Sequence, residues 1–327
     1  MIKYLVIAVL LFAIELVYFF LADKFNIIDK PNLRSSHTHI TLRGGGIIFL
    51  FGAALFAAFY GLQYPWFLLG LLLIGGISFW DDVHSLPDSV RLVVQFVSMI
   101  LMFQDLGILQ WNMWWAVIMG LILCVGIINA YNFMDGINGI TGGYSVAVLL
   151  PLIVLNTSSE EAGFIDNNLL VVVLLSVLVF CFFNFRTKAK CFAGDVGSVS
   201  MAFILVFAIG LLVVKTGDFS YIMLLAVYGV DAVLTIMHRI MLHENLGQAH
   251  RKHAYQLMAN ELKMPHVLVS SIYAVLQLVI SAGLVYLPMN HYLYSVIVLI
   301  LLSAGYLVFM KKYYPLHEAY LRSMEQK

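Results

Sequence analysis

The sequence predicts an all-α integral membrane protein, a polytopic bundle of about eleven transmembrane helices. Of its 327 residues, 62% are hydrophobic and only 11% are charged, whereas soluble domains carry roughly 25% charged residues. The mean hydropathy is +0.94, and long apolar runs alternate with short polar breaks. Loops and open sheets cannot cross a bilayer because their backbone groups would stay unpaired, so we expect a helical bundle.

The apolar runs come close to the ~20 residues that a membrane-spanning helix needs. The first run could pass for a signal peptide, but no small-x-small cleavage site follows it and further apolar runs do, so we interpret it as a retained helix. No internal repeat or linker is visible, which predicts a single domain over residues 1–327. The predicted helices cover residues 2–22, 45–62, 64–79, 92–107, 111–130, 138–155, 168–184, 198–214, 219–237, 266–287 and 290–310.

Lysines and arginines fall unequally into two alternating sets of polar breaks. Of the eighteen, all but Lys3 and Lys215 lie in or beside one set, which the positive-inside bias places in the cytoplasm. We therefore expect the N-terminus outside, the C-terminus inside and a catalytic face on the cytoplasmic side. The net charge is zero, which argues against nucleic-acid binding. The predicted cytoplasmic loops are 23–44, 80–91, 131–137, 185–197 and 238–265, with the tail 311–327.

A polar cluster with two glycines, Asn129-Ala-Tyr-Asn-Phe-Met-Asp-Gly-Ile-Asn-Gly139, lies between two long apolar runs. Asn132 and Asp135 would lie at the membrane edge, where such side chains are costly unless they face protein, water or an ion. The cluster therefore favours a functional site, with a polar interhelical turn as the alternative.

Adjacent carboxylates at Asp81 and Asp82 end another apolar run, and Arg91 and Gln95 follow on the next predicted helix. Neighbouring carboxylates raise each other's pKa unless a cation lies between them. The pair therefore indicates a metal or a proton-handling site, although a solvated helix end would also explain it.

A third carboxylate lies in Phe192-Ala-Gly-Asp-Val-Gly-Ser198, at the start of the eighth predicted helix. Asp195 is a candidate metal ligand, and Ser198 lies where a helix N-terminus attracts phosphate; an N-cap role for Asp195 is the alternative. Carboxylates from three helix ends suit Mg²⁺, which prefers a few carboxylates together with substrate phosphates and water.

Two basic loops could bind phosphate. Arg34-Ser-Ser-His-Thr-His-Ile-Thr-Leu-Arg-Gly-Gly-Gly46 offers the guanidinium groups of Arg34 and Arg43, hydroxyls and glycine amides. His250-Arg-Lys-His253 could neutralise charge on a leaving phosphate. Ordinary positively charged cytoplasmic loops would look the same. Asp231, inside the ninth predicted helix, should pair with a neighbour such as His238 or Arg239.

Together these motifs resemble the polyprenyl-phosphate N-acetylhexosamine-1-phosphate transferases, also called glycosyltransferase family 4. The resemblance runs from about residue 34 to residue 256, with the motifs in the same order and spacing. It implies attack by a membrane polyprenyl (undecaprenyl) phosphate on a UDP-amino sugar, release of UMP, and a requirement for Mg²⁺, with Mn²⁺ as a substitute. It also implies a bacterial inner membrane location, and it leaves open whether the chain forms a homodimer.

The resemblance implies roles for particular residues. Asp195 would be the main metal ligand, and Asp81 and Asp82 would contact the metal or prime the lipid phosphate. Asn132 and Asp135 would complete the centre. The predicted metal ligands are Asp195, Asp135 and Asp82; the predicted catalytic residues are Asp81, Asp82, Asp135 and Asn132; the predicted substrate-binding residues are Arg34, Arg43, Arg91, Ser198, His250, Arg251 and His253.

Two departures from the family pattern narrow this expectation. The last loop reads Ala249-His-Arg-Lys-His-Ala-Tyr-Gln256 instead of carrying consecutive histidines. It resembles the branch that initiates O-antigen or capsule chains, often on 6-deoxy-amino sugars. Asn138 replaces the usual second aspartate of the Asp-Gly-x-Asp-Gly motif, which weakens any carboxylate role at that place.

The chemistry itself asks for little base catalysis. A phosphate monoester has a second pKa near 6, so the lipid phosphate is already mostly dianionic at cytoplasmic pH. We therefore expect Asp81 and Asp82 to bind metal or position substrate, while a one-step displacement and a route through an aspartyl-phosphate both stay open. The rival function is a secondary transporter, but transporter sites lie near the bilayer midplane and often accompany inverted repeats. We find no signature of a CDP-alcohol phosphotransferase.

Overall fold

The computed structural model describes residues 2–31, 36–37, 39–109, 112, 114–158, 162–248 and 250–325. Its regular structure there is almost entirely helical; one short antiparallel ribbon pairs Ile28–Asp29 (β1) with Thr41–Leu42 (β2). This confirms the predicted all-α polytopic class. The helices are α1 (Ile2–Lys24), α2 (Ile48–Tyr60), α3 (Pro65–Val83), α4 (Asp88–Asp105), α5 (Trp114–Phe133), α6 (Ile140–Ser158), α7 (Asn167–Asn184), α8 (Gly194–Thr216), α9 (Ala226–Met241), α10 (Ala254–Asn260), α11 (His266–Tyr286) and α12 (His291–Glu325), with 3-10 turns at Gly45–Ile47 and Phe219–Leu225.

Among the described residues, nine helical segments are long and apolar enough to cross a membrane. The apolar helix Gly45–Tyr60 is shorter, and α4 is not among the nine. Each of the eleven predicted spans coincides with a helix. The number that cross the bilayer, their orientation and the single-domain assignment stay predictions.

Several helices extend beyond the apolar runs that predicted them. Helix α3 continues through Asp81 and Asp82, and α8 already begins at Gly194, so these carboxylates lie on helical turns. Helix α12 continues to Glu325, where a polar tail was predicted, and α10 forms inside the predicted loop 238–265. Backbone hydrogen bonds within a helix do not depend on apolar side chains, so a helix can extend beyond its membrane-embedded stretch.

Helix α8 is the centre of the bundle and is buried along most of its length. It packs against α2, α3, α5 and α6. At its start, Gly197 meets Gly46 so closely that a Cβ on either glycine would overlap the other residue's backbone. The backbone N–H groups of Gly45 and Gly46 donate to the carbonyls of Phe192 and Ala193, at 2.8 and 3.0 Å. This close packing brings residues 41–46 to the N-terminal end of α8.

A second group of helices supports the predicted histidine loop. Helix α11 packs against α6, and α12 packs against α9 and α10. The Tyr255 hydroxyl donates to the Phe133 carbonyl at 2.9 Å, which ties α10 to the end of α5. Gly136 lies against this hydroxyl, and a Cβ there would overlap it. The loop 238–265 is thereby fixed beside the Asn129–Gly139 segment.

Candidate active site

Asp195, in the first turn of α8, lies between two arginines from different parts of the chain. Arg43 approaches Oδ1 at 3.4 Å, and Arg91 approaches Oδ2 at 3.2 Å. Arg43 also pairs with Asp82 at 2.6 Å, and Arg91 with Asp81 at 2.8 Å. The adjacent carboxylates Asp81 and Asp82 and the distant Asp195 therefore share two guanidinium groups.

Asp82 holds the N-terminus of α8. One of its carboxylate oxygens accepts from the Asp195 backbone N–H and the other from the Val196 backbone N–H, both at 2.9 Å. A carboxylate there compensates the unpaired amides and the positive end of the helix. With Arg43 bound as well, the Asp82 side chain is fully buried and is not among the described residues that line the cavities below. The α8 amides predicted to attract phosphate thus already have an anionic partner.

Asp135 lies in the turn between α5 and α6, outside the membrane-spanning helices. Its carboxylate accepts from the Thr141 hydroxyl at 2.5 Å. Burial, together with the nearby negative charges of Asp195 and Asp82, raises the pKa of Asp135 to about 7. One helical turn earlier, the Asn132 side chain donates to the Ser198 hydroxyl at 3.0 Å, so the α5 end is joined to the α8 start.

Two cavities meet at this cluster. The first, which we call the loop cavity, measures about 280 Å³ and is lined mainly by loop residues, among them Arg43, Asp135, Asn138 and Phe192, with Asn184 from the end of α7. The second, the helix cavity, measures about 500 Å³ and is lined by helix faces and the histidine loop, among them Arg91, Leu92, Gln95, Asn129, Phe133, His250 and His253. The side chains common to both linings are Asn132, Asp195 and Gln256.

All five predicted cytoplasmic loops contribute residues to these two cavities. The loop cavity draws on loops 23–44, 131–137 and 185–197 and on Gln256 of loop 238–265. The helix cavity adds loop 80–91 and further residues of 238–265. The convergence of these motifs at one end of the bundle agrees with the sequence-based expectation of a single site. The side of the membrane that it faces stays a prediction.

The carboxylates at the loop cavity fit a divalent cation. No group of three or more His, Cys, Asp or Glu side chains in the described part of the chain is arranged to hold a metal alone. Mg²⁺ does not need one, because it is commonly held by one or two carboxylates, water and substrate phosphates. Asp135 and Asp195 both face the loop cavity. Four clustered carboxylates against two arginines leave two uncompensated negative charges when all are ionised, and a divalent cation would balance them.

Comparison with known proteins identifies the relationship. Residues 64–215 match the family described as glycosyl transferase family 4. Over this stretch the chain is similar to that family. The matched residues include Asp81, Asp82, Asp135 and Asp195 but neither Arg43 nor the histidine loop.

The relatives that match this chain are transferases by name. A probable undecaprenyl-phosphate N-acetylglucosaminyl 1-phosphate transferase of Bacillus subtilis is 26% identical, over 73% of this chain and 72% of the relative. A putative glycosyltransferase of Methanocaldococcus jannaschii is 31% identical over 58% of this chain and 60% of the relative. A phospho-N-acetylmuramoyl-pentapeptide-transferase of Thermotoga neapolitana is 28% identical over 48% and 56%. The last two matches span less than two thirds of the relative.

The structure separates the predicted substrate-binding residues into two groups. Arg43 lines the loop cavity, and Arg91, His250 and His253 line the helix cavity. Burial lowers the pKa of His250 to about 3, helped by the nearby charges of His253 and Arg239, so this ring is neutral at physiological pH. It is therefore placed to form neutral hydrogen bonds.

The other predicted substrate-binding residues are placed differently. Arg251 pairs with Glu261 at 3.0 Å, and its guanidinium stacks on the Tyr320 ring, 4.1 Å from the ring centroid. It joins α10 to α12 and is not among the described residues at either cavity. Ser198 is fully buried, donates to the Gly194 carbonyl at 3.1 Å and is likewise absent from both linings. Arg34 lies outside the described residues.

Asn138 has a structural partner at the place where the family pattern has an aspartate. Its amide donates to the carbonyls of Arg186 and Thr187, at 3.0 and 3.1 Å, and its backbone carbonyl accepts from the Ser270 hydroxyl at 2.7 Å. The amide N–H groups suit carbonyl acceptors that a carboxylate could not satisfy.

Two features of the site were missed or misjudged from the sequence. Asp231 does not pair with His238 or Arg239. The ring of His238 packs against Tyr314, and Arg239 pairs with Glu244 at 3.1 Å. Apart from Thr235 on the same helix, the partners of Asp231 come from the start of α10 and from α11, which no local spacing identifies. Second, Gln95 accepts from Asn129 at 3.3 Å, which forms an unpredicted polar pair in the wall of the helix cavity.

Proposed function

We propose that this chain transfers an N-acetylamino-sugar-1-phosphate from a UDP-sugar to undecaprenyl phosphate and releases UMP. The observation that carries the proposal is the pair of cavities that share the Asp195 wall. A reaction between a water-soluble and a lipid-linked substrate needs two approaches to one centre. The names of the relatives support the same general reaction.

The loop cavity is the better fit for the nucleotide sugar. Its lining combines an aromatic ring at Phe192 with the side-chain oxygen of Asn138, which has no hydrogen-bond partner among the described residues, and these suit the flat face and polar edge of a base. Arg43 stands at the end nearest Asp195, where a diphosphate would need a positive charge. We assign the diphosphate to this end of the cavity.

The helix cavity is the better fit for the lipid phosphate. Its lining includes Leu92 and Phe133, whose surfaces are 43% and 42% exposed on helices α4 and α5. Apolar exposure beside a polar cavity suits a molecule with a long hydrocarbon chain and a charged head. Arg91, between Asp81 and Asp195, would receive that phosphate.

Transfer of the sugar phosphate between these cavities requires compensation of the substrates' negative charges more than it requires a general base. An oxygen of the lipid phosphate forms a bond to the sugar-linked phosphorus, and the bond from that phosphorus to the bridging oxygen breaks, so that UMP leaves. The attacking phosphate is already mostly dianionic. Arg43 and Arg91 would draw the two anionic groups together, and Asn132 could donate to an oxygen of the phosphate being transferred.

Asp135 and Asp195 are the residues we propose to hold Mg²⁺, with Mn²⁺ as a substitute. When bound, the ion would neutralise charge on the diphosphate. Asp81 and Asp82 have other roles in this arrangement. Asp82 fixes the start of α8, and Asp81 accepts from the Leu86 backbone at 2.6 Å and orients Arg91. We therefore propose positioning roles for both and no obligatory general base.

The sequence of the last loop is the basis for proposing which sugar is transferred and in which pathway. The sequence Ala249-His-Arg-Lys-His-Ala-Tyr-Gln256 supports an O-antigen or capsule-type pathway and a 6-deoxy-amino sugar. The named relatives instead act on N-acetylglucosaminyl or N-acetylmuramoyl-pentapeptide groups. We also propose a bacterial inner membrane location with the two cavities open to the cytoplasm.

The test is transfer of sugar label into lipid by purified protein. Undecaprenyl phosphate, Mg²⁺ and a panel of UDP-amino sugars should yield a butanol-extractable product with equimolar UMP. Chelation of Mg²⁺ and Asp195→Ala should each abolish both products. Uptake of a solute into proteoliposomes without any lipid product would instead establish the transporter alternative.

A further inference from the structure

Asp231 is a buried carboxylate that the proposed reaction does not yet use. It lies on α9 and is only 3% exposed. One carboxylate oxygen is approached by His253 Nδ1 at 3.2 Å, the Ala254 N–H at 3.1 Å and the Thr235 hydroxyl at 3.1 Å. The other is approached by the Tyr273 hydroxyl at 2.6 Å and the Tyr255 N–H at 3.4 Å. Asp231 is therefore saturated and offers nothing to a metal or a substrate directly.

This arrangement selects which nitrogen of His253 carries hydrogen. Backbone N–H groups can only donate, so the Asp231 oxygens that they face act as acceptors, and the four donors other than His253 match an ionised carboxylate. Nδ1 of His253 must then be the donating nitrogen. The free ring position is Nε2, and its role follows from the hydrogen bond at the other nitrogen.

Nε2 of His253 is buried and has no hydrogen-bond partner among the described residues. His253 lines the helix cavity beside Asn132 and Gln256. The rings around it are His250 at 5.0 Å, Tyr255 at 5.8 Å and Phe133 at 6.4 Å between centroids. A buried polar atom without a partner is costly to the fold, and a ligand in the cavity would relieve that cost.

We infer that Asp231 is a positioning residue that acts through His253, holding Nδ1 so that Nε2 hydrogen-bonds a phosphate oxygen of the substrate in the helix cavity. The inference rests on the function proposed above. Because an ionised phosphate oxygen can only accept, Nε2 makes this bond as the donor, with hydrogen on both ring nitrogens and Asp231 facing Nδ1. Asp231 itself never contacts the substrate.

The decisive experiment is a double-mutant cycle on kcat with Asp231→Asn and His253→Gln in the full chain. Each single variant should lower kcat about 10- to 100-fold, as loss of an orienting partner does elsewhere, and leave the KM for the nucleotide sugar within about twofold. The double variant should be no slower than His253→Gln alone, because Asp231 works only through that ring. If the kcat losses of the two single variants multiplied in the double variant, the inference would be overturned and Asp231 would have a structural role.

Two controls separate positioning from folding. Tyr273→Phe removes the 2.6 Å hydrogen bond to Asp231 but leaves His253 untouched, so it should lower thermal stability and keep kcat within about twofold. A loss of kcat equal to that of Asp231→Asn would contradict the inference. Asp218→Asn breaks a similar pair with His291, 2.7 Å apart, away from both cavities, and should not change kcat.

A measurement on the unsubstituted protein covers the case in which Asp231→Asn does not fold. Imidazole ¹⁵N resonances of His253, assigned by their loss in His253→Gln, should show Nδ1 protonated. A neutral ring protonated on Nε2 would overturn the inference. Wild-type protein that makes no lipid product would instead remove the proposed function and leave this tautomer result standing.

Discussion

The loop cavity and the helix cavity are built differently around the same wall. Loops enclose the first, and its guanidinium is Arg43; faces of α3, α4 and α5 enclose much of the second, and its guanidinium is Arg91. Each arginine contacts a different oxygen of Asp195. The difference indicates that the site is nearly symmetric in charge but asymmetric in access, with a polar approach on one side and an apolar approach on the other.

The largest effect should come from removing the guanidinium group of either arginine. Arg43→Gln should raise the KM for the nucleotide sugar about 10- to 100-fold, and Arg91→Gln should raise the KM for undecaprenyl phosphate by a similar factor. A hydrogen bond to a charged group contributes about 1.5–3 kcal/mol, which corresponds to these factors. Steady-state kinetics with each substrate varied in turn would measure both values.

The matched control is Asp88→Asn. Asp88 also pairs with Arg91, but its side chain is 84% exposed, so its loss should change either KM less than about threefold because exposed ion pairs are weak. If Arg43→Gln and Arg91→Gln raised the same KM, the assignment of one substrate to each cavity would be wrong.

The contact between Gly136 and Tyr255 joins the two cavities and should matter for stability. Gly136 lines the loop cavity, while Tyr255 is bonded to the end of α5 beside the helix cavity. Gly136→Ala should cost about 1–3 kcal/mol in the free energy of unfolding, because the new methyl group overlaps the Tyr255 hydroxyl. Thermal unfolding in detergent would report it as a lower Tm.

Two further variants isolate the cause. Tyr255→Phe in the Gly136→Ala background removes the overlapping hydroxyl and should recover part of the lost Tm. Gly126→Ala adds a methyl group on α5 where nothing lies within 4 Å, and it should be neutral or slightly stabilising because alanine favours helices. An equal loss of Tm from Gly126→Ala would show that steric overlap is not the cause.

The sequence predicted the helices and the carboxylates of the site because both are local signals. An apolar run identifies a helix, and polar residues at its end identify an unusual membrane edge. This reasoning located Asp135, Asp195 and Arg91. It did not foresee that Asp82 would bind the start of α8, because that contact joins residues more than 100 positions apart.

Histidine and basic residues were harder to place from the sequence than carboxylates. His253 and Arg251 are two positions apart, yet His253 lines the helix cavity and Arg251 turns to Glu261. Composition marks the loop as basic, but the packing of α10 against α9 and α12 decides where each side chain points. The same long-range packing, not visible in any spacing, gives Asp231 its partner.

The smallest effect should come from His250, the neutral member of the helix cavity. Its pKa falls from 6.5 to about 3 on burial, so the folded protein binds this proton more weakly than the unfolded chain. Stability that depends on neutral His250 is complete above pH 6.5 and falls as the pH drops from 6.5 towards 3. His250→Gln should flatten this part of the profile of Tm against pH and change the KM for undecaprenyl phosphate less than about threefold, because no charge is removed. A lipid KM raised as far as in Arg91→Gln would mean that His250 contacts the phosphate as a cation, and the helix cavity would then hold one more positive group than we assign.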